Sequence, residues 1–301
     1  MNWSHQTVLV TGAGGFIGSH LTERLAVLGA RTRALIHYNS ANSWGWLDKS
    51  SAAGDVEVFL GDLREPDSLQ SAVKGVDVIY HLGALIGIPY SYESPLSYLH
   101  TNVEGTLNML QAAMDVGVSR FVHTSTSEVY GTAQYIPMDE GHPLQSQSPY
   151  AASKTGADKM AEAFHLSFQL PVTIIRPFNT YGPRQSSRAI IPTIVTQAHD
   201  GNAIRLGNLD PTRDFNYVED TVEGFISALA SENTVGELIN LGSGQKTSIG
   251  ELAKTILALI GTDLPIEFDQ QRARPHDSEV ERLCADNRKA LELCGWCPQV
   301  S

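Results

Sequence analysis

Three cysteines are all that the 301-residue chain carries, and Cys284, Cys294 and Cys297 all lie near its end. So few cannot build a disulfide framework, so the fold must rest on a packed core. Basic residues are scarce too: 21 Lys and Arg stand against 33 Asp and Glu, a formal net charge of −12. A surface that acidic disfavours nucleic acid and anionic membranes as general partners, because both need a basic face. It still allows a small anionic ligand, which needs only a local cluster of donors. No apolar run reaches the length that crosses a bilayer. The polar stretch Met1–Gln6 leads straight into Thr7-Val8-Leu9-Val10, leaving no room for a signal peptide. The expectation is a soluble, cytoplasmic protein.

What the chain does carry is apolar: hydrophobic residues make up 42% and charged residues 18%, which suits a packed core and argues against disorder. Through the first half, short apolar runs alternate with amphipathic stretches. Thr7–Val10, Thr32–His37, Val56–Leu60, Val76–His81, Arg120–Thr124 and Val172–Arg176 have the composition of strands. After the first of them, Ile17, Leu21, Leu25 and Leu28 share one helical face, and Gly29 is a natural stop. Pro66–Val73, Ser97–Val116 and Pro149–Phe168 are further helical stretches. The pattern predicts an α/β fold, a doubly wound parallel sheet covered on both faces. Past Arg176 the regularity weakens. Asp220–Ala230 and Ile249–Ile260 have helical spacing, with a strand candidate at Glu237–Leu241.

Thr11-Gly12-Ala13-Gly14-Gly15-Phe16-Ile17-Gly18 sits between the first strand and the first helix. Glycines let the backbone turn sharply and approach a pyrophosphate, and the helix start offers free N–H groups. The strand before and the helix after supply the context that a bare glycine pattern lacks. An NAD site should close its second strand with a carboxylate on the adenosine ribose. His37-Tyr38-Asn39-Ser40 stands there instead, with no arginine beyond Arg33 inside the strand. The motif therefore leaves NAD and NADP open. Asp62 stands where it could meet the adenine amine, although a turn or capping aspartate gives the same spacing.

Ser148-Pro149-Tyr150-Ala151-Ala152-Ser153-Lys154 opens a helix, with Ser148 as cap and Pro149 in the first turn. Tyr150 and Lys154 are four apart and share a face. A nearby ammonium and a cationic nicotinamide favour phenolate, which would make Tyr150 a base for a sugar hydroxyl. Thr126, Ser127 and Glu128 follow a predicted strand at its carboxyl end, where open α/β sheets bind ligands. There Thr126 can hydrogen-bond the reacting hydroxyl, and Glu128 is a candidate second base.

These residues resemble the extended short-chain dehydrogenases/reductases, in the nucleotide-sugar epimerase/dehydratase group, over nearly the whole chain. The motifs run in order: the glycine turn, Gly61-Asp62-Leu63, His81-Leu82-Gly83-Ala84, Asn102, the Thr126-Ser127-Glu128 triplet, Tyr150 with Lys154, and the stretches Arg176–Arg184 and Arg213–Asp220. The resemblance implies a Rossmann domain over residues 1–177 with about 215–243. A smaller, interleaved α/β substrate domain would take 178–214 and 244–301. It implies an NAD cofactor, NADP not being excluded, held by Gly12, Gly15, Phe16, Ile17, Gly18, His37, Asn39, Asp62, Leu63, Leu82, Ala84, Asn102, Tyr150, Lys154 and Pro177. It also implies a nucleotide-diphosphate sugar on Ser127, Asn179, Arg188, Arg213 and Arg274, with guanidinium forks matched to phosphate oxygens.

Within the group the triplet is similar to those of sugar 4,6-dehydratases and UDP-glucuronate decarboxylases. The 4-epimerases usually place small residues where Glu128 stands. The segments 84–92 and 38–46 look closest to the N-acetylhexosamine-nucleotide 4,6-dehydratases of legionaminic acid pathways. A decarboxylase should face the sugar carboxylate with a cation, and no Arg or Lys lies near Thr126–Gly131 in the sequence. No metal is expected: Cys294-Gly295-Trp296-Cys297 lacks the setting of a dithiol site, and Cys284 and His276 do not complete a zinc set. His81 and His123 end predicted strands and are expected to be structural. A homodimer is expected through Ser97–Val116 and the Tyr150 helix, burying Leu107, Leu110, Met114, Met160 and Phe164.

Overall fold

Thr7–Thr11 (β1) is buried along its whole length, as a strand covered on both faces must be. The computed structural model describes residues 1–300, and in it β1 is an inner strand of a seven-stranded sheet. The next five strands are β2 (Arg31–His37), β3 (Val56–Gly61), β4 (Val78–His81), β5 (Arg120–Thr124) and β6 (Val172–Pro177). The chain then leaves the sheet for the short strands β7 (Asn179–Tyr181), β8 (Ile204–Leu206), β9 (Thr212–Arg213) and β10 (Phe215–Tyr217). It returns with β11 (Leu238–Leu241) before β12 (Thr247–Ser248) and β13 (Ile266–Phe268). The large sheet runs β3-β2-β1-β4-β5-β6-β11, and all its pairings are parallel. Strand order reverses between β1 and β4, which opens a crevice at their carboxyl ends.

The helices are α1 (Phe16–Val27), α2 (Pro66–Val73), α3 (Ile88–Glu93), α4 (Pro95–Tyr98), α5 (Gly105–Val116), α6 (Pro149–Phe168), α7 (Ile190–Asp200), α8 (Val218–Ala230), α9 (Ile249–Ile260) and α10 (Arg288–Cys294). One face of the sheet packs Leu21 and Leu25 of α1, Phe225 of α8 and Trp296 into a single core. The other packs Leu69 of α2, Met109 and Leu110 of α5, and Phe164 of α6. A separate cluster joins α7, β8 and α9 through Ile194, Leu206 and Leu257. Among the described residues no helix is long and apolar enough to cross a membrane.

Two expectations need correction. The stretch Ser97–Val116 is not one helix, because a π-helical turn at Leu99–Glu104 separates α4 from α5. The wider turn lets buried Asn102 reach Leu85 and Ser153. Among the apolar residues assigned to a dimer face, Leu110 and Phe164 belong to the core of the single chain, and Met114 and Met160 pack against it. Leu107 is exposed, and so are Leu99, Val116, Leu166 and Phe168 on or beside the same helices. Helix α7 was not foreseen because Pro192 falls within it; in the first turn its missing N–H costs nothing.

Helix α9 starts with a capping box: Ser248 Oγ accepts from Glu251 N at 3.1 Å, and Glu251 Oε2 accepts from Ser248 N at 3.0 Å. Ser248→Ala should lower stability by about 1 kcal/mol. Chemical denaturation checks this, and an unchanged midpoint would mean that the tertiary contacts of α9 hold it without the cap.

Candidate active site

At the carboxyl end of β1 the chain turns through glycines packed closely against neighbouring backbone. Gly12 has φ +68°, and a Cβ there would stand 2.9 Å from Gly83 N. A Cβ on Gly18 would stand 2.2 Å from the Gly12 carbonyl oxygen, so α1 and the turn touch through bare backbone. A Cβ on Gly15 would meet only that same oxygen, at 3.2 Å. Trp46 N donates to Gly14 O at 3.0 Å and braces the turn from the loop after β2. No side chain caps α1, whose first-turn amides stay available for an anion. Phe16 and Ile17, half-buried, form that first turn. The turn has the close approach and the free amides that a pyrophosphate would need. Gly18→Ala should push the turn apart and weaken dinucleotide affinity at least about tenfold, about 1.4 kcal/mol; unchanged affinity by calorimetry would remove the turn from the site.

The adenosine end differs from expectation. The Asn39 side chain closes its own turn, bonding the backbone of Ser43 and the His37 carbonyl. Arg33 is engaged with Glu57 and with the carbonyls of Ala72 and Lys74, away from the strand end. Asp62 is gripped by Arg64, whose hydrogen bonds hold its carboxyl at about 2. Exposed His37 lies 3.3 Å from the same carboxylate. Asp62 and His37 thus meet at the ends of neighbouring strands, while Arg64 and Arg33 are both already paired. Half-buried Leu63, Leu82 and Ala84 follow β3 and β4, and buried Pro177 ends β6.

The catalytic candidates converge. Thr126, Ser127, Glu128, Tyr150 and Lys154 are all at least nine-tenths buried. Ser148 Oγ accepts from Ala151 N at 3.1 Å and starts α6 where the sequence placed it. Thr126 caps the short turn Ser127–Tyr130, its Oγ1 accepting from Glu128 N at 3.3 Å. Burial pushes the Tyr150 phenol up; the Thr126 hydroxyl works against this, while Glu128 and Tyr98 add to it. The expectation that Lys154 lowers Tyr150 is not met by the chain alone. Lys154 Nζ donates instead to the Thr124 carbonyl at 2.6 Å, and burial lowers it to about 8. Asn102, placed above among the cofactor contacts, is fully buried with its amide taken up by Leu85 and Ser153. These bonds tie the loop after β4 to Ser153 in the first turns of α6.

On the substrate side, Arg213 is buried and donates to Val280 O at 2.7 Å, Thr212 O at 3.1 Å and Glu279 at 3.2 Å. Its neighbour Asp214 is taken by Ser243, Gly244 and Ala285. Arg274 Nη1 lies 3.5 Å from Glu128 Oε2 and 3.8 Å from Glu279 Oε1, and it has no hydrogen-bond partner of its own. Asn179 Oδ1 is likewise buried and unpartnered, and Arg188 is exposed before α7. Sequence reasoning missed Glu279 and this Arg274–Glu128 contact, since no motif spacing links the C-terminal segment to the triplet. It also missed Asp158, for which the four-residue step from Lys154 was a usable signal. Cys294 Sγ donates to Ala290 O, and Trp296 Nε1 to Asp220 O, so this turn serves packing.

Residues 9–301 match the protein family described as GDP-mannose 4,6 dehydratase. The chain is 34% identical to the low-salt glycan biosynthesis protein Agl12 of Haloferax volcanii, over 98% of this chain and 94% of that one. It is 33% identical to the UDP-N-acetyl-alpha-D-glucosaminuronate decarboxylase of Bacillus cytotoxicus, over 97% and 93%. The crystal structure of dTDP-glucose 4,6-dehydratase from Streptomyces venezuelae, solved with NAD bound, superposes with a TM-score of 0.88 at 34% identity, covering 98% of this chain and 92% of that one.

Proposed function

We propose that this chain, which belongs to the GDP-mannose 4,6 dehydratase family, is an NAD-dependent nucleotide-sugar 4,6-dehydratase, a lyase. The observation that carries this reading is Glu128, a buried carboxylate next to Thr126 and close enough to Tyr150 to raise its phenol. The substrate is an NDP-hexose, NDP-N-acetylglucosamine before others, in keeping with the legionaminic-acid-type resemblance. The glycine cradle fits a dinucleotide, and Arg33 and Arg64 are both already paired with carboxylates, which favours NAD over NADP. NAD, when bound, supplies a hydride acceptor for C4 of the sugar and returns that hydride at C6.

Tyr150 takes the proton of the C4 hydroxyl, which Thr126 orients. Lys154 contributes positive charge beside the site. The ketone formed at C4 acidifies C5, and Glu128 takes the C5 proton. The C6 hydroxyl leaves as water with the proton that Glu128 took; C5 then regains a proton from solvent, to which Tyr150 returns the proton of the C4 hydroxyl. The cofactor ends as it began. Residues 178–214 and 244–301 supply the sugar-nucleotide side, with Arg213 and Arg274 toward the diphosphate. We assign the exposed apolar residues Leu99, Leu107 and Leu166 to a homodimer contact, and the protein to the cytoplasm.

One observation favours a second reading. Arg274 brings beside Glu128 the cation that a UDP-glucuronate decarboxylase would need against the sugar carboxylate. Incubation with UDP-, GDP- and dTDP-hexoses and with UDP-glucuronate separates the two by product mass. Loss of water from a hexose supports the dehydratase. Loss of carbon dioxide, with hexoses untouched, makes the chain a decarboxylase, and an unchanged mass with altered stereochemistry makes it a 4-epimerase.

A further inference from the structure

Asp158 lies one helical turn beyond Lys154 on α6 and is 2% exposed. Its carboxylate collects Ser125 Oγ at 2.7 Å, Arg176 Nη2 and Nε at 2.8 and 3.2 Å, and His123 Nε2 at 3.2 Å. Lys154 donates to the carbonyl of Thr124, the residue next to Ser125. One strand end therefore anchors the buried ammonium and the buried carboxylate on consecutive residues. A charge-assisted cluster of four hydrogen bonds from three residues is more than a surface aspartate needs, and the sugar chemistry proposed above assigns it no task.

We propose that Asp158 is a positioning residue whose carboxylate keeps the buried Lys154 side chain charged and fixed against the end of β5, one turn from Tyr150. Isolated ammonium groups in apolar surroundings lose their proton, so a buried lysine that must stay charged needs a nearby anion. The groups facing this pair are His81 on β4, His123 on β5, Arg176 on β6 and Tyr150 on α6. Both histidines are held neutral, chiefly by burial, and bring no negative charge. A cavity of about 330 Å³ between α6 and the β6–β11 edge also reaches Asp158 and Arg176. Its other ionisable lining groups are Glu140, His142, Lys159, Glu162 and His165. Lys159 and Glu162 pair with each other at 2.6 Å, and Glu140 accepts from Asn240 N. Asp158 is the group that opposes the downward pull of burial on Lys154.

The inference rests on Tyr150 and Lys154 being the catalytic pair, yet its test needs no substrate, so either idea can fail alone. The chain has seven lysines, and labelling them with carbon-13 at Cε gives a spectrum in which Lys154→Met identifies the buried signal. In the full-length wild-type protein Lys154 should titrate at about 8. Asp158→Asn should lower that midpoint by at least about one pH unit, since it removes the charge that opposes burial. Asp158→Glu, which keeps the charge, should restore it. A purely structural aspartate would leave the midpoint where it is, and that result in folded Asp158→Asn overturns the proposal. Should that variant not fold, the carboxyl carbon-13 signal of Asp158 in the wild-type protein must shift as Lys154 titrates; a signal flat through that midpoint overturns the proposal equally.

Discussion

Tyr150→Phe should lower turnover of the nucleotide sugar by about 10²–10⁴-fold while leaving NAD affinity within about twofold of wild type. The substitution removes one hydroxyl and keeps the ring, which packs edge-on against Tyr98 with centroids 6.2 Å apart. The fold and the cradle at Gly12–Gly18 are untouched. Near-normal turnover would place the base elsewhere. The expected loss is large because the burial that raises the Tyr150 phenol also excludes the water that could replace it. The chain does not itself depress this phenol, so the charge that activates it must come from the bound cofactor together with Lys154.

Glu128→Gln should stall the reaction after C4 oxidation and before water leaves. The amide keeps the size of the side chain and one acceptor oxygen, yet it cannot take the C5 proton. Dehydration should slow by about 10²–10⁴-fold, the usual worth of a positioned base. The sugar then stays oxidised at C4, and the enzyme shows the absorbance of reduced nicotinamide. In heavy water no deuterium should enter C5. Dehydration at the wild-type rate would show that Glu128 is not the C5 base. A decarboxylase behaves otherwise, since carbon dioxide leaves a 4-keto acid without abstraction at C5, and Arg274→Ala should then be the more damaging change.

How much of this was legible in the sequence depends on the range over which each feature is set. Helix α6 matches expectation end to end because its limits are local: Ser148 and Pro149 start it and left-handed Gln169 ends it. The inner sheet strands were legible because both their faces are buried, which forces runs such as Val8-Leu9-Val10. The break before α5 was not, because the π turn answers to Asn102 reaching Leu85 and Ser153 across the fold. The Arg274–Glu128 contact was illegible for the same reason. It arises when the segment after β13 folds back over the site, held there by Gln147 donating to the carbonyls of Asp277 and Glu279. Asp62 was legible at the end of β3, but its pairing was not, since nothing local says that Arg64, two residues on, will close on it.

The most direct measurement follows a deuterium label placed at C4 of the nucleotide hexose through one turnover. A 4,6-dehydratase working through Tyr150 and Glu128 must deliver that label to C6 of a product that has lost water. Label recovered at C4, with or without loss of carbon dioxide, would contradict it.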